Sequence, residues 1–402
     1  MKLSLPSRWW VITIFYLSST INYLDRQILS AVAPAIKDEF HLTYEQYGLV
    51  LTAFYTVYML SSPLMGFFLD KLGLNLGASL AIAWYSLAGL ARAFTQGLTG
   101  LTIANAAVAL GEAAGIPSTA KAAQTYLPQE ERALGSALSQ LGLSLGFFAA
   151  AYLANFCLAR WGWRSAFLIA GWLGFLWIPL WWWAAKQAPQ QPIPATKTPE
   201  NVASILKQRQ TWGFILANVL GMGNFALWMG WTTIYLTKTF SLSTIDANQI
   251  APIPQLFAYA GGLLGGFASM KLIQGGTAPL DARRRVLIFS AVGMLSTALV
   301  PLAPTPAWAI AAISLSTATG SAWGVNLYTM PLDAFGSHRA AFAVSLLTAA
   351  YGLLQIFISP WIGRQVDQIG FRPVCTVIAI APLLAYAILE LTKSRDQTPA
   401  RT

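Results

Sequence analysis

The chain has 402 residues, 56% of them hydrophobic and only 10% charged. Soluble domains carry about 25% charged residues, so the composition excludes that class and indicates an integral membrane protein. The net charge of +10 would suit a nucleic-acid partner, but the placement of the basic residues along the chain excludes one.

Twelve apolar stretches suit helical spans of a hydrocarbon core roughly 30 Å thick. They fall near 9–34, 46–69, 75–95, 100–126, 133–157, 165–185, 210–237, 248–273, 286–303, 307–332, 339–363 and 373–392. None shows the ten-residue alternation of a membrane barrel. With the N-terminus inside, sixteen of the 25 Lys and Arg residues lie in cytoplasmic segments and seven outside, among them Lys37, Arg92 and Lys238. That bias is the positive-inside pattern, so the basic balance reports topology, with both termini cytoplasmic. The first stretch is expected to be retained as a helix rather than cleaved, because Pro34 follows Ala31-Val32-Ala33 and the segment carries Asp25-Arg26.

The spans predict an all-α membrane protein of twelve transmembrane helices in two pseudo-symmetric six-helix bundles. Residues 1–186 form the first bundle, 187–208 a cytoplasmic linker and 209–402 the second. The linker holds Pro189, Pro192, Pro194 and Pro199, which favour an extended, semi-rigid connection. Internal repetition supports the division. Arg132-Ala133 recurs as Arg339-Ala340, and Trp163-Arg164 as Phe371-Arg372, at offsets of 207 and 208 residues. Gly66 and Lys71 recur as Gly266 and Lys271. Duplicated six-helix halves hold substrate near the midplane where they meet.

Four charged side chains are expected at membrane depth: Asp25, Arg26, Glu112 and Lys121. Each costs about 2.5–3.5 kcal/mol to insert, so such residues mark an ion or substrate path unless they only fix helix packing. In the first span Ser19, Asn22, Arg26 and Ser30 recur at helical spacing and should face a cavity. Asp25 and Arg26 project about 100° apart and cannot reach one target. The natural division turns Arg26 to a substrate carboxylate, which its planar fork can hold, and Asp25 to neighbouring helices. Glu112 sits among small residues that permit close helix approach, which makes it a candidate proton carrier or one half of a fixed salt bridge. Asn105, seven residues earlier, shares its face. Lys121 lies on the opposite face about 13.5 Å along the axis. It suits a gate near the cytoplasmic end, or an apolar groove covered by its stem.

In the second half Asn224, Trp228, Trp231 and Tyr235 share a face of the seventh span, and Thr348, Tyr351 and Gln355 one of the eleventh. Asn326 lies in the tenth. No charge is expected beside them, so this half should supply hydrogen bonds and stacking. Cys157 and Cys375 read as small packed residues or, less simply, a disulfide. No metal-ligand spacing, phosphate-cradling loop or nucleophile–base set occurs, and the two His residues lie in loops. The chain should therefore be no enzyme, need no cofactor and use no His relay.

Several motifs resemble the anion:cation symporter family of the major facilitator superfamily. They are Asn22-Tyr23-Leu24-Asp25-Arg26, Gly66 through Asp70-Lys71, Gly111-Glu112 with Pro117 and Lys121, Glu131-Arg132-Ala133, and Gly162-Trp163-Arg164. The family includes bacterial hexuronate and galactonate permeases. The resemblance implies proton coupling at Asp25 and Glu112, substrate binding at Arg26 and Tyr58, and a cytoplasmic gate at Asp70, Lys71, Lys121 and Arg132. Asn22, Asn105, Asn224, Trp228, Asn326, Tyr351 and Gln355 complete the expected substrate contacts. Many relatives carry Arg where this chain has Asn105, so a second cation is expected to be missing, which favours a monoanion. Leu143 stands where sugar-acid permeases often have a polar residue.

The expectation is thus a monomeric inner-membrane symporter of bacterial type, importing a small organic monocarboxylate with protons by alternating access. The alternative carrier is a lipid or amphiphile exporter resembling the Spinster group. A non-transporting sensor would need a soluble signalling domain, for which the loops are too short.

Overall fold

The computed structural model describes residues 7–127, 132–187, 202–335 and 337–393, and these residues are helical with short connections. In chain order the helices are α1 (Ser7–Ala31), α2 (Ala33–Phe40), α3 (Tyr44–Leu72), α4 (Leu74–Arg92), α5 (Leu98–Glu112), α6 (Gly115–Tyr126), α7 (Arg132–Arg160) and α8 (Trp163–Ala184). They continue as α9 (Arg209–Gly221), α10 (Gly223–Phe240), α11 (Thr244–Ile250), α12 (Ile253–Gln274), α13 (Pro279–Met294), α14 (Pro306–Phe335), α15 (Ser337–Gln368) and α16 (Phe371–Leu391). A 3₁₀ segment, Leu295–Leu302, extends α13. With α5–α6, α9–α10 and α13 plus its extension taken as single stretches, the expected spans are all present. Among the described residues, eight stretches are long and apolar enough to cross a membrane by length and composition alone.

The boundaries follow local chemistry. α3 opens with a capping box in which Thr43 and Gln46 exchange side-chain-to-backbone hydrogen bonds. The fourth span is broken after Glu112, three residues before α6 begins. Pro117 has no N–H to offer the Ala113 carbonyl, so the ladder is interrupted there. The ninth span starts earlier than its hydropathy suggests. Pro279 at the first turn and Asp281 beside the helix N-terminus set the start, so Arg283, Arg284 and Arg285 lie inside α13 rather than in a loop.

The chain divides into two compact units, Met1–Thr196 with Thr233–Pro252, and Lys197–Thr232 with Ile253–Thr402. The stretch Thr233–Pro252, assigned by sequence to the second bundle, falls in the first unit. There Asn248 Nδ2 donates to the Ala31 carbonyl at 2.8 Å and Asn155 Nδ2 to that of Ile245 at 2.9 Å. The Lys238 ammonium lies 4.2 Å from the Tyr44 ring centroid.

In the first unit α1 runs between α7 and α8, and its Phe15 meets the stacked pair Trp177 and Trp181 edge-on. Gly146 brings α7 onto α1, since a Cβ there would lie 2.7 Å from the Thr20 carbonyl oxygen. In the second unit α12 packs along α14, and Trp323, Phe214, Met294, Leu327 and Met330 form the core. Gly261 and Gly265 make the α12–α14 approach possible.

The repeat is visible in the backbone. Gly162 and Gly370 precede α8 and α16 with φ of +81° and +83°. Their N–H groups close the preceding helices on the carbonyls of Cys157 and Gln365, at 2.9 and 3.0 Å. Cys157 and Cys375 are both buried and free.

Candidate functional site

The divergence of Asp25 and Arg26 on α1 produces two separate ion pairs in the first unit. Arg26 Nε and Nη2 both donate to Glu112 Oε2, at 2.8 and 2.7 Å. The Arg26 side chain keeps 14% exposure, whereas that of Glu112 has none. Tyr23, Phe54 and Tyr58 surround the guanidinium, with ring centroids 5.0, 4.8 and 5.1 Å from Cζ. Each such contact contributes about 0.5–2 kcal/mol, more as water is removed. Glu112 reaches this point because it ends α5 at the break, and because Gly111 lets α5 lie against Ala81 and Tyr85 of α4.

Asp25 turns the other way, to Arg92. Its Oδ2 accepts from Arg92 Nη2, and both side chains are 1% exposed. The Arg92 guanidinium lies 4.5 Å from the Phe167 ring and donates to Asn105 Oδ1 at 3.4 Å. Asn105 Nδ2 in turn donates to the Val50 carbonyl at 3.2 Å. Removing one partner of a buried ion pair costs about 3–5 kcal/mol, because the other charge is left uncompensated.

This geometry corrects two expectations. Arg92 was assigned to an outer segment, yet it ends α4 fully buried. It is a further charge in the helix interior, and it supplies the cation that Asn105 was expected to leave missing. Its signal in the sequence was faint: Tyr85, Gly89 and Arg92 share one face of α4, pointing a cation at whatever packs there. Asn105 therefore serves the Asp25–Arg92 pair, on the side of α1 away from Arg26.

Each acid uses one oxygen. Asp25 Oδ1 and Glu112 Oε1 are buried with no hydrogen-bond partner among the described residues. The same holds for Asn22 Nδ2, one turn before Arg26 on the same face of α1. Unmet buried groups of this kind cost roughly 1–3 kcal/mol each unless a ligand, water or proton meets them.

The remaining expected site residues are spread more widely. Lys121 Nζ donates to the Leu69 carbonyl at the end of α3, at 2.8 Å. Lys71 is exposed. The side chains of Asp70, Arg132 and Leu143 lie outside the described residues. In the second unit Asn224 is buried and donates to the Ser316 carbonyl at 2.9 Å. Trp228 is buried on the turn that follows it. Gln355 donates to the Tyr351 hydroxyl at 2.7 Å. Asn326 donates to the Gly265 and Ala322 carbonyls and accepts from Arg283 at 3.4 Å. Arg283 also meets Asp333 at 3.2 Å and Ser269 at 2.6 Å. The second half is thus not free of charge beside its polar residues: the early start of α13 carries Arg283 to Asn326. Among the described residues no group of three or more His, Cys, Asp or Glu could hold a metal ion.

A helical membrane protein of two units, with charges paired between its helices, belongs to the class of secondary carriers. Specifically, the chain is a member of the Major Facilitator Superfamily, whose family model matches residues 15–348. It is 28% identical over 404 residues to the hexuronate transporter of Escherichia coli K12, covering 95% of this chain and 93% of that one. It is 29% identical to the galacturonate transporter of Dickeya chrysanthemi, over 76% of this chain and 94% of that one. A bacterial homologue of the human lysosomal transporter Spinster, solved in an inward-facing occupied conformation, superposes with a TM-score of 0.79 over 99% of this chain and all of its own. At 18% identity that likeness shows the fold alone.

Proposed function

We propose that this carrier is a proton-coupled symporter for a small organic monocarboxylate of the sugar-acid type, working by alternating access in a bacterial inner membrane with both termini cytoplasmic. The observation that carries this reading is the Arg26–Glu112 pair, in which the cation is partly exposed and its acid is sealed. A carboxylate arriving from water meets the Arg26 fork first and competes with Glu112 for it. Once displaced, the sealed Glu112 carboxylate has lost its direct cation partner, so proton uptake removes its uncompensated charge. Cargo and proton then travel together. The unpaired Asn22 amide one turn away offers the second oxygen of the cargo a donor, and the ring of Tyr23, Phe54 and Tyr58 suits a compact body. Relatives named for hexuronate and galacturonate transport support the substrate class. In the second unit, Tyr351 and Gln355 are the candidates for hydroxyl recognition.

The test is uptake of radiolabelled D-galacturonate into proteoliposomes. Wild-type protein should accumulate it under an inward proton gradient. Glu112→Gln should abolish accumulation yet preserve exchange of internal for external galacturonate. Arg26→Ala should lose both. Proton-driven accumulation by the Glu112→Gln variant would refute the proton assignment, and unchanged galacturonate binding by Arg26→Ala the carboxylate assignment.

A further inference from the structure

The two buried ion pairs differ in what can reach them. Arg26 opens to the surroundings through its 14% exposure, whereas Asp25 and Arg92 are each closed at 1%. Arg92 is also clamped by the Phe167 face and by Asn105, whose other end is tied to the Val50 backbone. The free oxygen of Asp25 faces Gly89, where an added Cβ would stand 2.9 Å from Oδ1 and 3.5 Å from Arg92 Nη2. A cargo carboxylate can compete for Arg26, but it has no comparable access to Arg92.

We propose that Arg92 is a positioning residue that withdraws Asp25 from the transport cycle, so that one proton, carried on Glu112, accompanies each monoanion and turnover moves no net charge. This rests on the symporter reading above. The charge balance is explicit. Before loading, two cations face two carboxylates. An anion on Arg26 adds one negative charge, and one proton taken by Glu112 from water on the entry side cancels it. On release the anion leaves, Glu112 gives its proton to water on the exit side, and the pair with Arg26 re-forms. A second proton on Asp25 would strand Arg92 as a buried, uncompensated cation. The other charged and titratable groups around Glu112 are Arg26 and Asp25 from α1, Arg92 from α4, and Tyr23, Tyr55, Tyr58 and Tyr85. None of these tyrosines carries a charge that would change the balance at neutral pH.

The experiment uses the full chain in proteoliposomes with D-galacturonate, a proton gradient and a separately imposed potassium–valinomycin potential. Accumulation by the wild type should follow the proton gradient one for one and ignore the potential. Movement of one net charge would instead change accumulation tenfold for each 59 mV or so. The variant Arg92→Asn leaves Asp25 without its cation and free to exchange a second proton, so its uptake should become potential-driven. Adding Asn105→Arg to that variant returns a guanidinium to the same neighbourhood and should restore potential-independent uptake, a result that a purely structural role would not give. Potential-driven uptake by the wild type would overturn the proposal, as would potential-independent uptake by a folded Arg92→Asn variant. Should Arg92→Asn fail to fold, the wild-type measurement decides alone. Absence of galacturonate exchange in the wild type would overturn the symporter reading, and this inference with it.

Discussion

Arg26 is the residue on which most of the site's chemistry converges, and its type matters as much as its charge. Two nitrogens of its fork meet one Glu112 oxygen while three aromatic rings surround the guanidinium carbon. A lysine would keep the charge as a strongly hydrated point and lose both the fork and the stacking. Arg26→Lys should therefore weaken galacturonate binding about 10–100-fold, measured by calorimetric titration of the purified protein. Affinity within twofold of wild type would show that the fork is not used. A second acid, Glu39 at the end of α2, has a different role. Its carboxyl accepts from Trp163 Nε1 and from Arg164, each at 2.6 Å, and the Trp163 bond chiefly holds it below the ordinary carboxylate range, with the Arg164 bond next. A depressed acid stabilises the folded state above its unfolded-state value and loses that contribution as pH falls through the folded one. Because the group is exposed, the effect is small. Glu39→Gln should lower the melting temperature slightly at neutral pH and leave it unchanged well below about pH 4.5, so that the acid limb of the profile flattens. At this scale the sequence was informative about identity and poor about partners. Arg26 and Glu112 stood out because a charge among Leu, Ala and Gly is conspicuous. Their pairing joins residues 86 apart in the chain, and no local spacing encodes it. Arg92 was missed because a cation at the end of a span looks the same whether it meets water or another helix.

At the scale of elements, the site depends on helices that come closer than side chains normally allow. Gly146 holds α7 against the part of α1 just before Asp25 and Arg26. A Cβ there would meet the Thr20 carbonyl oxygen at 2.7 Å and the Leu24 nitrogen at 2.9 Å, both backbone atoms that cannot rotate aside. Gly262 on α12 offers a contrast, since a Cβ would find only side chains at 3.5 and 3.7 Å. Gly146→Ala should cost about 1–3 kcal/mol by overpacking and lower the melting temperature. Gly262→Ala should be neutral or slightly stabilising, because alanine is the better helix former. Equal shifts for the two would remove the argument that α7 sets the position of the α1 charges. Hydropathy located the spans but not their interruptions. The break after Glu112 comes from Pro117 four residues beyond Ala113, inside a run that is apolar throughout. The start of α13 was placed too late because Arg283, Arg284 and Arg285 lower the local hydropathy, although Pro279 and Asp281 mark a helix N-terminus. That error concealed the contact between Arg283 and Asn326.

For the whole molecule, low charge content and spans of bilayer length made the architecture legible, and repeated pairs such as Trp163-Arg164 and Phe371-Arg372 made the duplication legible. These properties belong to long stretches of chain, so errors of a few residues do not disturb them. Substrate class is less legible, because it depends on how many cations a cargo can reach. By sequence alone, Asn105 argued for a monoanion on the ground that a second cation was absent. The structure supplies that cation as Arg92 but seals it against Asp25, so of the two guanidinium groups only that of Arg26 keeps exposure, and on the proposed reading a cargo meets one cation. A thermal-stability panel on the purified protein tests this directly. A ligand that binds only the folded state stabilises by about 2.7 kcal/mol at one hundred times its dissociation constant. D-galacturonate, with one carboxylate, should raise the melting temperature more than galactarate, which brings a second carboxylate into a site with no cation to receive it. A lysolipid should give no selective shift. Preference for galactarate would mean that Arg92 becomes available to cargo, and a shift confined to lysolipid would favour an amphiphile carrier built on the same fold.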